Sequence, residues 1–214
     1  MAQDLRVTEI FYSLQGETRT VGWPTAFVRL TGCPLRCTYC DTTYAFQGGE
    51  RVPLAAILDK VGTYKPRFVT VTGGEPLAQP PTLDLLRDLC DAGYEVSLET
   101  SGALSTAGVD GRVSVILDLK TPGSGECQRN LYENIGRLRT HDQVKFVITS
   151  VEDYDWARAL VTRYKLTDWC DVLFSPVNPG LAPADLADWI LRDKLGVRFQ
   201  VQLHKILWGD ARGR

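Results

Sequence analysis

The sequence has no strong excess of either charge, no long apolar run and only two histidines. Its 24 basic and 26 acidic residues give a net charge of −2, which excludes a general attraction to nucleic acid or to an anionic membrane. No stretch approaches the roughly 18 apolar residues of a membrane span, and no basic segment followed by an apolar one opens the chain. We therefore expect a cytoplasmic protein without a signal peptide, a membrane partner or a nucleic-acid partner.

Internal repeats, low-complexity tracts and linkers are also missing, so we expect a single domain over residues 1–214. Short apolar segments alternate with helical patterns at 54–61, 83–90, 156–164 and 186–190, which predicts an α/β fold. Its parallel sheet is expected to curve into a partial (β/α) barrel with an N-terminal strand or hairpin extension. Ligands in such folds gather where strands end, so strand ends supply the candidate site residues. The predicted strands are 26–32, 67–74, 94–102, 113–122, 144–150, 171–176 and 198–205.

Three of the six cysteines, Cys33, Cys37 and Cys40, fall within eight residues at a predicted strand end. In the cytoplasm, such a cluster indicates metal or redox chemistry more than disulfides. A structural zinc needs four ligands, and neither His141 nor His204 is close in sequence. Three cysteines on a [4Fe–4S] cluster leave one iron with an open position. We favour this interpretation over a zinc site completed by a distant ligand, or over unligated thiols.

The segment 33–40 resembles the Cys-x3-Cys-x2-Cys signature of radical S-adenosylmethionine enzymes, with Tyr39 as the aromatic residue before the third cysteine. The resemblance implies a [4Fe–4S] cluster whose open iron chelates the methionine end of S-adenosylmethionine. The resulting 5′-deoxyadenosyl radical abstracts hydrogen from substrate, so no side chain is assigned as a protein acid or base. Glu75, in the Gly-Gly-Glu-Pro turn, suits the cofactor ammonium or helps hold the turn. The positions expected to bind S-adenosylmethionine are Tyr39, Gly74, Glu75, Ser101, Lys120, Thr121, Ser175 and Asn178.

A further set of residues comprises Ser13-Leu14-Gln15-Gly16-Glu17, Arg29, Thr72, the segment 98–102 and His204-Lys205. Together, over positions 9 to 205, the set resembles the 7-carboxy-7-deazaguanine synthases, lyases of queuosine biosynthesis, a tRNA modification pathway. The resemblance implies conversion of 6-carboxy-5,6,7,8-tetrahydropterin to 7-carboxy-7-deazaguanine with release of ammonia. Gln15, Glu17 and Glu99 suit the donors and acceptors of a pterin edge. Arg29 is expected to bind the substrate carboxylate, because an interior arginine needs an anion and the substrate supplies one. The other substrate candidates are Leu14, Gly16, Thr72 and His204.

Oxygen-bearing side chains follow the last clustered cysteine, in Asp41-Thr42-Thr43. The resemblance places the Thr42 hydroxyl on Mg²⁺, a hard ion that prefers oxygen ligands. From the residues alone, Asp41 is the first candidate, and we keep it as a structural residue. The resemblance also implies a homodimer and an external reductant such as flavodoxin or ferredoxin.

Two segments depart from the family pattern. Many members carry Ser-Pro-Lys where residues 118–122 read Asp-Leu-Lys-Thr-Pro, and a Gln-Pro pair is expected where residues 174–178 read Phe-Ser-Pro-Val-Asn. The S-adenosylmethionine contacts in these two segments are therefore not fixed by the family pattern. Two alternative functions also stay open. An activase that generates a glycyl radical on a partner protein shares the cysteine spacing but needs no residues for a pterin. A zinc-stabilised binding module would not be an enzyme.

Overall fold

The strands of the protein are β1 (Asp4–Leu14), β2 (Pro24–Leu30), β3 (Glu50–Pro53), β4 (Phe68–Gly73), β5 (Glu95–Thr100), β6 (Ser114–Asp118), β7 (Gln143–Ile148), β8 (Asp171–Pro176) and β9 (Arg198–Phe199). The helices are α1 (Leu54–Thr63), α2 (Thr82–Asp91), α3 (Val151–Tyr164), α4 (Pro183–Arg192) and α5 (Leu203–Trp208). These elements come from a computed structural model that describes residues 3–214. Within that range no helix combines the length and the apolar character needed to cross a membrane.

The strands form one sheet in the order β3-β1-β2-β4-β5-β6-β7-β8-β9. Strands β2 and β4 to β9 are mutually parallel, whereas β1 is antiparallel to both β2 and β3. This order confirms the predicted α/β fold, a partial barrel extended at its N-terminus by a hairpin. Because parallel strands share one direction, their carboxyl ends all meet at the same rim.

Alternation along the strands separates the hydrophobic core from the interior of the barrel. Val69 and Val71 of β4 are fully buried in the cluster that also contains Leu85 of α2. Burying one such leucine stabilises the fold by about 2 kcal/mol. Side chains at alternate positions point to opposite faces of a sheet, so Thr70 and Thr72 face away from this helical layer. In β4 the polar side chain of Thr72 is therefore turned to the barrel interior, where it lines the cleft described below.

The four predicted helical patterns correspond to α1 to α4, and the strand predictions agree with the structure except at two segments: 113–122, where β6 already ends at Asp118, and 198–205. In the second segment the disagreement is larger. There only Arg198 and Phe199 pair with β8, and the chain then turns into α5. The rest of the segment contacts the loop between β1 and β2 instead of a neighbouring strand. The Gln200 side chain accepts a hydrogen bond from the backbone nitrogen of Thr18 at 3.0 Å, and the Leu203 backbone nitrogen donates to Gly16 at 2.9 Å.

Strand register aligns several charged residues across the interior. Glu9 of β1 lies opposite Arg29 of β2, and Arg29 lies beside Thr72 of β4. Further around the sheet, Asp118 of β6 is the register partner of Lys145 of β7. Neighbouring residues in register are close enough to interact, so these rows build one polar cavity from distant parts of the sequence.

Candidate active site

A cleft lies inside the barrel and opens near its carboxyl rim. All substrate candidates, the three clustered cysteines and Thr42 line it. Of the candidates for S-adenosylmethionine, the cleft is lined by Tyr39, Gly74, Ser101, Lys120, Ser175 and Asn178. Glu75 and Thr121 are the two candidates that do not line it.

The cysteine loop follows β2 and is fixed to its surroundings by backbone contacts. The Cys40 backbone nitrogen donates to the Cys37 carbonyl at 3.2 Å, and the Thr38 hydroxyl donates to the Gly123 carbonyl at 2.8 Å. Arg36 donates from one guanidinium nitrogen to the Cys33 carbonyl at 2.8 Å. These three bonds do not involve the thiols, and the Cys33 sulfur accepts only a long hydrogen bond from the Leu35 backbone nitrogen at 3.5 Å, so the thiols remain available for ligands.

All three thiols are free and half-buried. Burial raises the pKa of Cys33, Cys37 and Cys40, to about 11 for Cys37, because it disfavours the thiolate. Within residues 3–214, no three possible ligands converge on one point as a single metal ion would require. In a four-iron cluster each cysteine binds a different iron, so one point of convergence is not needed. The cysteine loop therefore fits a [4Fe–4S] cluster, whose iron ions would favour the thiolate form of the three side chains.

The glycine pair after β4 brings the next loop against the cysteine loop. The Glu75 backbone nitrogen donates to the Gly32 carbonyl at 2.8 Å. A Cβ atom at Gly74 would lie 2.2 Å from that carbonyl oxygen and 2.9 Å from the Cβ of Cys33. Gly73 has a φ of +148°, which few residues with a side chain adopt. This contact, with no room for a side chain, sets the distance between the cysteine loop and the Gly74 turn.

The carboxylate of Glu75 is fully buried and used by its own surroundings. It accepts hydrogen bonds from the Leu77 backbone nitrogen, from the Thr100 hydroxyl and from both the backbone nitrogen and the hydroxyl of Ser101, at 2.5–2.9 Å. Of the two roles expected for Glu75, the structure shows the one that holds the turn. The Thr121 hydroxyl donates to Val147 and to Asp153, each at 3.0 Å, and so points away from the cleft.

Two cleft residues carry buried polar atoms that find no hydrogen-bond partner among residues 3–214. These are the hydroxyl of Tyr39 and one carboxylate oxygen of Asp118. The other Asp118 oxygen lies 3.0 Å from the ammonium of Lys120. Burial alone would lower the pKa of Lys120, but attraction to Asp118 outweighs it and the pKa lies above its usual range. Unpaired buried polar atoms are costly, so this end of the cleft suits a polar ligand such as S-adenosylmethionine.

The loop between β1 and β2 carries the substrate candidates Gln15 and Glu17 into the barrel. The Gln15 amide donates to the Thr70 hydroxyl at 3.1 Å and to Glu99 at 3.3 Å, while its carbonyl accepts from the Glu17 backbone nitrogen. Thr18, which is almost fully buried, has a φ of +68°, a strained conformation for a β-branched residue. The strained residue lies within the loop directly after Glu17, which lines the cleft.

Glu17 and Glu99 place two carboxylates in the same part of the cleft. Glu99 accepts a hydrogen bond from the Thr72 hydroxyl at 2.9 Å. Burial, and then the negative charge of Glu17, raises the pKa of Glu99. Glu17 is paired instead with the ammonium of Lys145 and accepts from the Gln202 amide at 2.9 Å. The two carboxylates therefore have different electrostatic surroundings.

The sequence prediction omitted Lys145, although it lines the cleft. A lysine within an otherwise apolar central strand is unusual, because a buried charge needs a partner. That signal could have marked Lys145 in the same way as it marks Arg29. Its partner could not be read from the sequence, since Glu17 lies more than a hundred residues away.

Arg29 already has an anionic partner in the protein, Glu9, while its binding of a substrate carboxylate stays a prediction. The Arg29 Nε atom donates to a Glu9 oxygen at 2.7 Å, and the Tyr44 hydroxyl donates to the same oxygen at 2.8 Å. Arg29 nevertheless lines the cleft, with a side chain 18% exposed. Phe11 and Phe27, stacked with centroids 4.9 Å apart, line the cleft beside it and were not predicted. Glu9 thus orients a guanidinium whose other nitrogens remain available for a ligand.

His204 closes the cleft from α5, against the loop that carries Gln15. A Cβ atom at Gly16 would lie 2.2 Å from the Nδ1 atom of His204, so glycine permits this approach. Burial lowers the pKa of His204, although Glu17 and Asp41 favour its charged form. The segment after α5 also reaches the cleft, where Arg214 is among the lining residues.

Thr42 and Asp41 present oxygen atoms on the same side of the cleft. The Thr42 hydroxyl donates to an Asp41 oxygen at 2.7 Å, and the second Asp41 oxygen accepts from Gln202 at 3.3 Å. A hydroxyl that donates its proton in one direction keeps its lone pairs free in the others. The pair therefore has the donor chemistry of a Mg²⁺ site.

The barrel, the cysteine loop and the cleft define a radical S-adenosylmethionine protein. Residues 27–123 match the model of the radical SAM superfamily. The chain is 45% identical to the 7-carboxy-7-deazaguanine synthase of Chlorobaculum tepidum, over 98% of this chain and 97% of that relative. It is 40% identical to the enzyme of the same name from Koribacter versatilis, over 95% and 97% of the two chains. The chain belongs to the 7-carboxy-7-deazaguanine synthase family.

A solved structure has the same fold. The crystal structure of QueE from Escherichia coli superimposes with a TM-score of 0.78, covering 94% of this chain and 95% of that one at 22% sequence identity. The named relatives decide between the alternatives that the cysteine spacing left open. They favour the synthase over a glycyl-radical activase and over a zinc-stabilised binding module.

Proposed function

We propose that this protein converts 6-carboxy-5,6,7,8-tetrahydropterin to 7-carboxy-7-deazaguanine with release of ammonia, in the biosynthesis of queuosine. The observation that carries the proposal is the composition of one cleft. It has three free cysteines at one side, and Gln15 with two carboxylates at the other. A glycyl-radical activase would have no use for this set of buried groups within hydrogen-bond reach of a small planar ligand.

Cys33, Cys37 and Cys40 would hold the [4Fe–4S] cluster. When bound, the cluster and S-adenosylmethionine together supply a 5′-deoxyadenosyl radical that removes a hydrogen atom from substrate. Lys120 and the unpaired oxygen of Asp118 offer a cation and an acceptor for the polar groups of S-adenosylmethionine. The expected Ser175 and Asn178 face the same cleft and complete this half of the site.

The substrate would bind at the other end through groups that match its functional chemistry. The pterin edge offers adjacent N–H donors, and the carboxylates of Glu17 and Glu99 can accept them. Arg29, oriented by Glu9, offers its free nitrogens to the substrate carboxylate. His204 covers the ligand from α5 and, together with Phe11, keeps water out of the cleft.

We further propose that Thr42 binds Mg²⁺ beside the substrate carboxylate. The support is the donor set, since the Thr42 hydroxyl and Asp41 carry hard oxygen atoms and face the cleft. The ion would neutralise the charge of the substrate carboxylate. The remaining proposals follow from the family resemblance: a homodimer, a cytoplasmic location, and a flavodoxin or ferredoxin as external reductant.

Anaerobic turnover tests the reaction. Protein loaded with iron and sulfide is incubated with a chemical reductant, S-adenosylmethionine, Mg²⁺ and 6-carboxy-5,6,7,8-tetrahydropterin, and the products are separated by chromatography. We expect one ammonia for each 7-carboxy-7-deazaguanine formed. A protein with a full cluster that cleaves S-adenosylmethionine but forms no deazaguanine would contradict the proposed substrate.

A further inference from the structure

Lys145 carries a buried charge that lies between the two halves of the cleft. Its side chain is 13% exposed, and its ammonium pairs with a carboxylate oxygen of Glu17, whose side chain is 11% exposed. On the other side the same ammonium is 3.9 Å from Asp118. Lys145 thus stands between a substrate candidate and a residue of the half assigned to S-adenosylmethionine.

We propose that Lys145 is a positioning residue for substrate recognition, because its ammonium pairs with the Glu17 carboxylate and directs it into the cleft beside Glu99. The inference rests on the proposed function, since it assigns the role of Glu17 to the edge of the pterin. Nothing in the proposed reaction requires Lys145 itself to touch the substrate.

Two carboxylates, those of Glu17 and Glu99, line the same part of the cleft. Like charges in one buried site favour uptake of a proton by one of them. Glu99 receives hydrogen bonds from Gln15 and Thr72, whereas Glu17 has a direct cationic partner. Glu17 is therefore the carboxylate that a cation holds directly, and a neighbouring cation favours the charged form of a carboxylate.

The charged form matters because of what the ligand offers. A 2-amino-4-oxopyrimidine edge presents adjacent N–H groups, and a carboxylate can accept from both only when it is ionised. Burial alone would lower the pKa of Lys145, but attraction to Glu17 and Asp118 outweighs it, so the pKa lies above its usual range. The ammonium therefore persists at the pH values at which Glu17 must accept.

Other charged groups surround the pair from the neighbouring elements. His204 and Lys205 of α5 and Asp41 of the cysteine loop act on the same region electrostatically. His204 and Asp41 line the same cleft as Glu17. Within residues 3–214, however, the ion pairs of Glu17 include only Lys145. Removing this one cation leaves Glu17 beside Glu99 with no direct counter-charge.

The test compares wild-type protein with Lys145→Met, which keeps an unbranched side chain one atom shorter and removes the charge. Binding of 6-carboxy-5,6,7,8-tetrahydropterin is measured by anaerobic equilibrium dialysis on cluster-loaded protein with S-adenosylmethionine, from about pH 6 to about pH 9. We expect affinity to fall about tenfold or more near pH 6. The loss should shrink as pH rises, because higher pH removes the proton that the two carboxylates then share.

A second comparison separates this role from a structural one. Lys145→Met is introduced into a Glu17→Gln background, where no carboxylate remains for the ammonium to hold. The added loss of affinity should then be less than about twofold. Lys145→Arg should restore most of the binding in the presence of Glu17, and Lys60→Met, on the exposed face of α1, serves as the surface control.

Unchanged binding in Lys145→Met would overturn the inference, as would a loss that is equal at every pH and persists in the Glu17→Gln background. If Lys145→Met does not retain its cluster, two other comparisons test the inference. One sets Glu17→Gln against the double variant, and the other sets wild type against Lys145→Arg. Failure of the wild-type protein to bind the pterin would instead contradict the proposed function. The two failures are therefore distinguishable.

Discussion

The backbone of Gly74 packs directly on the carbonyl group of Gly32, so that a Cβ atom at position 74 would lie 2.2 Å from that oxygen. The contact joins the turn after β4 to the loop that carries the cysteines. Because the clash is with backbone and not with a flexible side chain, it can be relieved only by moving one of the two loops.

Gly74→Ala is therefore expected to impair cluster binding. To accommodate the methyl group, the cysteine loop must shift by the better part of an ångström. We expect this packing strain to lower the iron content after anaerobic reconstitution by about half or more. Gly62→Ala in α1 is the matched control, since its nearest neighbour would be the Tyr94 hydroxyl at 3.7 Å. That variant should bind a full complement of iron. Equal iron content in the two variants would contradict the prediction.

Arg29→Ala should weaken substrate binding and leave the cluster intact. The substitution removes the guanidinium nitrogens that face the cleft, and a charged hydrogen-bonded contact of this kind is worth about 1.5–3 kcal/mol, or tenfold or more in affinity. The measurement is the KM for the pterin together with the iron content of the same preparation. Arg67→Ala is the control, because its ion pair with Glu95 lies on the surface and contributes little. A KM that is unchanged in Arg29→Ala would remove Arg29 from the site.

The short-range motifs could be predicted from the sequence because the residues of each motif lie within a single loop. The cysteine spacing and the Gly-Gly-Glu-Pro turn are local patterns, and both lie at strand ends of the sheet. The ion pair of Glu9 with Arg29 depends on antiparallel register, and that of Glu17 with Lys145 on the closure of the barrel. No local pattern encodes either contact.

The segment 198–205 was misread for a related reason. Its alternation of polar and apolar residues is typical of a strand, but the sheet at that edge offers β8 as a partner for only two residues. Beyond them, the backbone of α5 meets the loop at Gly16. Tertiary contacts with a loop near the start of the chain thus outweigh the local preference.

Glu99 should make stability decrease as the pH rises. Burial and the charge of Glu17 raise the pKa of Glu99 in the folded protein above the ordinary 4.5. Between the unfolded and folded values the unfolded chain has lost a proton that the folded protein retains, so raising the pH favours unfolding. The Tm of cluster-loaded wild type should therefore fall relative to Glu99→Gln as the pH increases above the ordinary value. A Tm difference that is constant with pH, or that grows in favour of the wild type, would contradict this assignment.

Thr42→Val should raise the Mg²⁺ concentration needed for half-maximal turnover. Valine has nearly the same shape as threonine but no oxygen, so the loss reports on the ligand and not on packing. Direct loss of one oxygen ligand is expected to weaken binding of the ion by about tenfold, the effect of removing a group that ligates or orients a ligand. Thr43→Val is the matched control, because Thr43 is exposed and does not line the cleft. The titration is run at saturating pterin and S-adenosylmethionine, so that a change in their affinity does not enter the result. Identical Mg²⁺ dependence in the two variants would show that Thr42 is not the ligand, and Asp41→Asn would then be the next variant to titrate, since its carboxylate is the nearest oxygen partner of Thr42.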